Sequence, residues 1–229
     1  MIAHGTPEWF TARLGKATAS RVSDLERTKK GEWSAKATGY KWDLIAERMT
    51  GLATPTGYVS RAMDWGTEQE PAAMAALEAY LGVTVKDVGF LDHPAIPDAG
   101  ATPDGRISST NEWDGWLVEV KCPETSTFMR YHGEKNESPE AAVLTPLCNL
   151  PEAYHAQCSF EVACADAPGV VFVAFDPRID ERYGELRLYV TTVRRENLPI
   201  AQTEATVRDF LFDVDEAHRK IIDGCDLPL

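Results

Sequence analysis

The chain has 229 residues, 44% of them hydrophobic, which is enough to bury a sizeable core, and one domain over residues 1–229 is expected. A net charge of −13 excludes a protein that coats nucleic acid indiscriminately, and five irregularly spaced cysteines without a CxxC pair point to reduced thiols rather than a disulfide framework or zinc site. No stretch approaches the roughly 20 apolar residues that span a bilayer and no N-terminal run has the layout of a secretion signal, so a soluble intracellular protein without membrane partners is expected.

The charge is uneven. From Thr11 to Thr50 nine Lys or Arg face five acids, including Arg13, Arg27, Lys29 and Lys30. This local excess of positive charge is either a solvated helix face or a phosphate-facing patch on an acidic body.

In chain order, Ser20 to Glu26 reads as a short helix and Thr28 to Gly31 as a basic loop. Ala37 to Thr50 carries Tyr40, Leu44, Ile45 and Met49 at helical spacing and ends at Gly51. Residues 54–61, TPTGYVSR, read as a loop. Asp64 to Leu81 holds an alanine-rich helix. Thr67 and Glu70 form a possible capping box, and Pro71 makes a start near Glu70 the alternative. Val83 to Leu91 and Ile107 are strand material, and WLVEVKC (116–122) is the clearest strand. Ser126 to Leu150 is polar and proline-containing. A helix follows over Pro151 to Ala165, then the fully apolar strand VVFVAF and the alternating strand ELRLYVTTV. A last helix runs from about Leu198 to Ile222. Interleaved strands and helices predict an α/β or α+β fold, a mixed sheet flanked by helices.

Residues two apart on a strand share a face. Trp116, Val118, Val120 and Cys122 therefore form a core face, and Leu117, Glu119 and Lys121 form the other face, which is expected to lie outside the core. A lone E-x-K is usually a surface ion pair. Here it follows Asp104, held on the turn Pro103-Asp104-Gly105. Two carboxylates brought together favour a cation between them, and hard ions such as Mg²⁺ take carboxylates, water and phosphate oxygens. An adjacent lysine can orient or help deprotonate the attacking water, or support charge on phosphate.

This P-D…E-x-K pattern resembles the signature of the restriction-endonuclease-like nuclease superfamily. Further stretches narrow the likeness. EWFTARLGKATAS, MDWGTEQEP, EVKCP, AYHAQ and FDPR, in that order from Trp9 to Arg178, resemble the phage lambda exonuclease family of viral recombination. That resemblance implies a restriction-endonuclease-like central mixed β-sheet and a Mg²⁺-dependent 5′-to-3′ exodeoxyribonuclease, Mn²⁺ substituting, with two metal ions. Its substrate would be ends of linear duplex DNA, left with 3′ single-stranded tails. It implies Asp104, Glu119 and the Val120 carbonyl as metal ligands, Lys121 at the attacking water, Glu70 supporting the second metal, and Gln157 orienting water or phosphate. Arg13, Ser20 and Thr102 match its 5′-phosphate pocket, and Arg27 is a candidate grip on the duplex. It further implies a processive, toroidal homotrimer, a single-strand-annealing partner protein and a phage or prophage setting in a bacterial cytoplasm.

Bland readings stand beside these. Arg13 could pair with a surface acid and Ser20 could cap a helix. Tyr154, Gln157 and Glu161 form one stripe that, without the family match, reads as solvent-facing. Met63 and Trp65 are either a wedge at the duplex end or core. An endonuclease of the same superfamily and a non-catalytic DNA-end-binding module are the rival functions.

Overall fold

A computed structural model describes residues 5–54, 61–135, 147 and 149–224, with the side chains of residues 61–63 left out of the description. The elements are α1 (Pro7–Arg13), β1 (Ala17–Thr18), α2 (Ala19–Val22), α3 (Ala35–Thr50), α4 (Arg61–Leu81), β2 (Thr84–Lys86), β3 (Leu91–Asp92), β4 (Ala99–Ala101), β5 (Gly105–Ser108), β6 (Leu117–Lys121), α5 (Thr125–Glu134), α6 (His155–Ala165), β7 (Gly169–Phe175), β8 (Leu188–Arg194) and α7 (Ile200–Asp223), with short 3-10 turns before α6, β8 and α7.

Five strands form the main sheet in the order β2-β5-β6-β7-β8. β6 and β7 run parallel, with Glu119 opposite Phe172 and Lys121 opposite Ala174, and the other neighbours are antiparallel. A smaller sheet, β1-β4-β3, carries a parallel pair, Ala17 opposite Ala99. The expected mixed sheets flanked by helices are therefore present.

Helices cover both faces of the main sheet. Ala73 and Leu77 of α4 pack with Val118, Val120, Val171 and Val173 on one side. Phe128 of α5 and Cys158 and Val162 of α6 pack with Leu117, Val170 and Phe172 on the other. A third cluster joins α3 and α7 to β4, with Phe210 stacked on Tyr40 at 5.5 Å and edge-on to Trp33 at 5.6 Å. The two-sided cover corrects the expectation that the Leu117–Glu119 face lies outside the core. Leu117 is fully buried and Glu119 is 1% exposed, because β6 is a central strand and not a half-wet one.

Other differences have local causes. Residues 83–91 make two short strands in different sheets, separated by Gly89 at φ 69°. α2 stops at Val22, where Ser20 to Glu26 was expected. α4 starts at Arg61 and continues through Pro71, so neither a capping box at Thr67 nor a start at Glu70 describes it. A proline inside a helix costs about 3 kcal/mol against alanine, and the apolar face of this 21-residue helix offsets it. Thr125–Glu134 is helical, nearly all of it inside the stretch read only as polar and proline-containing, with Phe128 fully buried as its anchor. Of the 54–61 loop, only Thr54 and Arg61 lie among the described residues.

Gly100 of β4 sits where a Cβ would enter the Phe90 ring and come within 2.6 Å of the Leu91 carbonyl oxygen. Backbone cannot yield as a side-chain tip can. Gly100→Ala is expected to cost about 1–3 kcal/mol of unfolding free energy in urea titration, the range for overpacking a core.

Candidate active site

Pairing of Gly105 with Val118 sets the β4–β5 connection against the end of β6. Asp104 consequently accepts a hydrogen bond from the Val120 backbone N–H at 2.7 Å. Glu119 is buried on the same strand, and its Oε1 receives the ammonium of Lys121. Burial disfavours the Lys121 charge, but Glu119 and Asp104 outweigh it and hold its pKa well above the ordinary lysine value. In this arrangement Lys121 is a hydrogen-bond donor, with its Nζ 5.5 Å from the Tyr154 ring centre.

One turn of α6 brings two more groups to the same place. The Gln157 Nε2 donates to Glu119 Oε1 at 2.5 Å and to Glu161 Oε1 at 2.9 Å. The stripe Tyr154–Gln157–Glu161 therefore faces the site and not solvent, and Glu161 is 1% exposed. Sequence reading assigned Glu161 no role, since a glutamate one turn from a glutamine is indistinguishable from a wet helix face until the sheet beneath it is known. Burial, then the nearby Glu119 charge, push the Glu161 pKa well above the carboxylate range, against the Gln157 hydrogen bond.

Arg13, Thr102 and Ser20 converge on the opposite wall. Thr102 Oγ1 accepts from Arg13 Nη1 at 3.0 Å and from Trp9 Nε1 at 3.1 Å. Two donors occupy both lone pairs, so the Thr102 hydroxyl hydrogen is left to donate elsewhere. Arg13 also lies 4.2 Å over the Trp9 ring, and burial lowers its pKa against the pull of Tyr40 and Glu47. Among the described residues, no carboxylate forms a salt bridge with it within 4.0 Å. Trp9, which the sequence motif contained but to which no role was given, holds this corner together.

These walls enclose one cavity of about 170 Å³ lined by both sets, Arg13, Ser20 and Thr102 with Asp104, Glu119, Lys121, Gln157 and Glu161. A second cavity, about 340 Å³, adjoins it through the shared residues Asp104 and Lys121 and is lined by Glu70, Val120 and Tyr154. Glu70 thus belongs to the outer chamber.

The FDPR stretch is a brace. Asp176 is fully buried and grips Arg178 through two side-chain bonds, 2.7 and 3.0 Å, while Arg178 donates to the Pro123 carbonyl at 2.9 Å. This fastens the chain just after Lys121. Trp65 covers Arg178 at 4.6 Å, and Met63 lies outside the described side chains. Arg27 is not a cavity residue. It lies 3.8 Å over Trp33, donates to the Gly31 carbonyl at 2.8 Å and faces Asp209 at 3.6 Å.

Among the described residues, no group of three or more His, Cys, Asp or Glu forms a ready cation cage. The donor set nonetheless fits a hard divalent ion. Asp104 and Glu119 supply carboxylate oxygens, the cavity leaves room for water, and Glu119 Oε2 is buried without a hydrogen-bond partner. Cys122, Cys158 and Cys164 are free thiols, and Cys148 and Cys225 lie outside the described residues. No described helix is long and apolar enough to cross a membrane.

A raised Glu161 pKa contributes stability below the unfolded value of 4.5 and loses it as pH rises toward the folded value. Glu161→Gln does not titrate, so its stability relative to wild type should improve with pH above 4.5, by at most about 1.4 kcal/mol per pH unit. Urea titrations in EDTA at several pH values read this directly, and a pH-independent difference would contradict it.

Residues 8–168 match the model of the YqaJ-like viral recombinase domain. The fold is similar to the alkaline exonuclease LHK-Exo from Laribacter hongkongensis, at 32% identity over 96% of this chain and 97% of that one, TM-score 0.77. LHK-Exo in complex with dAMP matches at 33% identity over 94% and 96%, TM-score 0.76. A phage-related exonuclease from Haemophilus somnus 129PT shares the fold at 11% identity over 91% and 96%, TM-score 0.61. No curated protein sequence matches. With a family model spanning more than half its length and a full-length exonuclease relative a third identical, the chain belongs to the YqaJ-like viral recombinase family, of the lambda exonuclease type.

Proposed function

We propose that the protein is a Mg²⁺-dependent 5′-to-3′ exodeoxyribonuclease that digests one strand of linear duplex DNA and leaves 3′ single-stranded tails for recombination by strand annealing. The observation that carries this reading is the shared cavity, in which a guanidinium with no carboxylate in salt-bridge contact among the described residues shares the lining with Asp104, Glu119 and Lys121. A terminal phosphate would supply an anion for Arg13 and accept the Thr102 hydroxyl hydrogen, which no described residue accepts. LHK-Exo in complex with dAMP, a deoxynucleoside monophosphate, supports a pocket of this chemistry.

In the proposed mechanism Arg13, Thr102 and Ser20 hold the 5′-phosphate in register. Asp104, Glu119 and the Val120 carbonyl would bind one Mg²⁺, and Glu70 in the outer chamber would support a second, with Mn²⁺ as a substitute. The chemistry such ions supply is neutralisation of phosphate charge and acidification of water. Lys121, held as an ammonium, donates to a phosphate oxygen and stabilises the charge that grows there. Gln157 fixes the geometry beside it. Asp104 is anchored by the Val120 N–H, so the two carboxylates keep their separation without relying on flexible side chains. Exposed Lys29 and Lys30, beside Arg27, are proposed to meet the duplex backbone. Processive action as a toroidal homotrimer with an annealing partner, in a phage or prophage setting in the bacterial cytoplasm, completes the reading.

Linear duplexes with a 5′-phosphate or 5′-hydroxyl, with Mg²⁺ or EDTA and beside closed circles, test it. The expected result is metal-dependent loss of the 5′-phosphorylated strand with circles intact. Lys121→Ala and Glu119→Ala should lose at least about 10²–10³-fold in rate. Cut circles would indicate an endonuclease instead, and binding without cleavage a DNA-end-binding module. Thr102→Val should reduce the preference for 5′-phosphate over 5′-hydroxyl by about 10- to 100-fold, the worth of one hydrogen bond to a charged group. An unchanged preference would remove Thr102 from the pocket.

A further inference from the structure

We propose that Glu161 is a positioning residue that sets the orientation of the Gln157 amide in the active site, an inference that rests on the nuclease reading given above. An amide nitrogen carries two hydrogens, and here both go to carboxylates, one to Glu119 and one to Glu161. Glu119 already receives the Lys121 ammonium, so the Gln157 atom bridging the two acids is the nitrogen and not the oxygen. With the nitrogen fixed on both sides, Gln157 Oε1 becomes the free end of the group. No described residue donates to it, and the side chain lines the 170 Å³ cavity.

Glu161 therefore makes Gln157 present an acceptor to the reaction, opposite the Lys121 donor. An acceptor at that point can accept a hydrogen bond from the attacking water and so turn its lone pair toward phosphorus. Without Glu161, one amide hydrogen would be unpaired in a buried place, and rotation of the amide to recover a bond from solvent would release Glu119. Burying a carboxyl group in α6 is costly, and Glu161 Oε2 has no hydrogen-bond partner. A group retained only for packing needs neither feature, since a leucine would fill the space.

The test is a double-mutant cycle with two replacements of similar size. Glu161→Leu fills the volume without an acceptor, and Glu161→Gln keeps one. Each is made alone and in Gln157→Ala, and kcat and KM are measured on 5′-phosphorylated linear duplex. Glu161→Leu should lower kcat by about 10- to 100-fold, the usual cost of losing a residue that orients an active-site group, with KM little changed. Glu161→Gln should recover most of that loss. In the Gln157→Ala background Glu161→Leu should cost nothing further. An equal loss in both backgrounds, or no loss in the single variant, overturns the proposal.

Side-chain amide NMR in EDTA gives a second readout independent of cleavage. Gln157 should show exchange-protected NH₂ signals in wild type and in Glu161→Gln, and unprotected ones in Glu161→Leu. Protection unchanged in the leucine variant also overturns the proposal. A wild-type protein that cleaves nothing while showing this pattern would instead sink the nuclease reading alone.

Discussion

Glu119 lies on the middle strand of a sheet that is covered by α4 on one face and by α5 and α6 on the other, and its carboxylate is almost completely removed from water. Several kcal/mol of desolvation penalty follow from that position, and the neighbouring groups can be understood as responses to it. Lys121, two residues on, supplies the opposite charge, Gln157 supplies a neutral donor, and the FDPR brace keeps the strand end in place. The compensation is incomplete. One ammonium faces the charges of Asp104 and Glu119, beside a Glu161 whose burial favours its neutral form, and two carboxyl oxygens of the cluster lack partners. A site with surplus buried negative charge favours a hard cation, which is why the fold and the metal chemistry belong to the same argument.

The two halves of the cavity are joined by three residues. Thr102 holds Arg13 and Trp9 on one wall and Asp104 is tied to the Val120 N–H on the other, with Pro103 between them. Two residue steps span at most about 7 Å, a length comparable to one nucleotide. Thr102 and Asp104 are thereby held at a short fixed separation by a proline-stiffened segment whose two ends are each tied down by hydrogen bonds. Just before this segment, Gly100 of β4 allows Phe90 and the Leu91 backbone to approach closely.

Much of this was legible from the sequence. The period of two in WLVEVKC and the turn at Pro103-Asp104-Gly105 located the acids and the lysine, and the order of short motifs located Arg13, Ser20, Thr102, Glu70 and Gln157. What failed was inference about burial from one element alone. The Leu117–Glu119 face was taken as outside the core because a charged residue sits on it, but helices on both sides of the sheet override that pattern. Glu161 failed for the same reason, since its helix face was assigned without its partner surface. Pro71 misled the placement of the α4 start, because local propensity ignores the long apolar face that carries the helix through. Arg27 shows a different limit. Its charge was readable, but its engagement with Trp33, Gly31 and Asp209 was not.

Arg13 gives the sharpest electrostatic argument. The chain carries 36 acidic residues against 23 basic ones, so a carboxylate partner would be the default for any cation withdrawn from water. Burial depresses the Arg13 pKa, and the side chain is held by a threonine hydroxyl and an indole face in place of a carboxylate. A paired arginine would have to release its acid before binding an anion, and the exchange would cancel most of the gain. Leaving it unpaired costs stability in the free protein and returns that free energy when an anion arrives, as expected of a preorganised site. A terminal phosphate carries more negative charge than a phosphodiester, so it gains more from the same guanidinium. The proposed preference for a strand end rests on this arginine having no carboxylate in salt-bridge contact among the described residues, with no need to read any base.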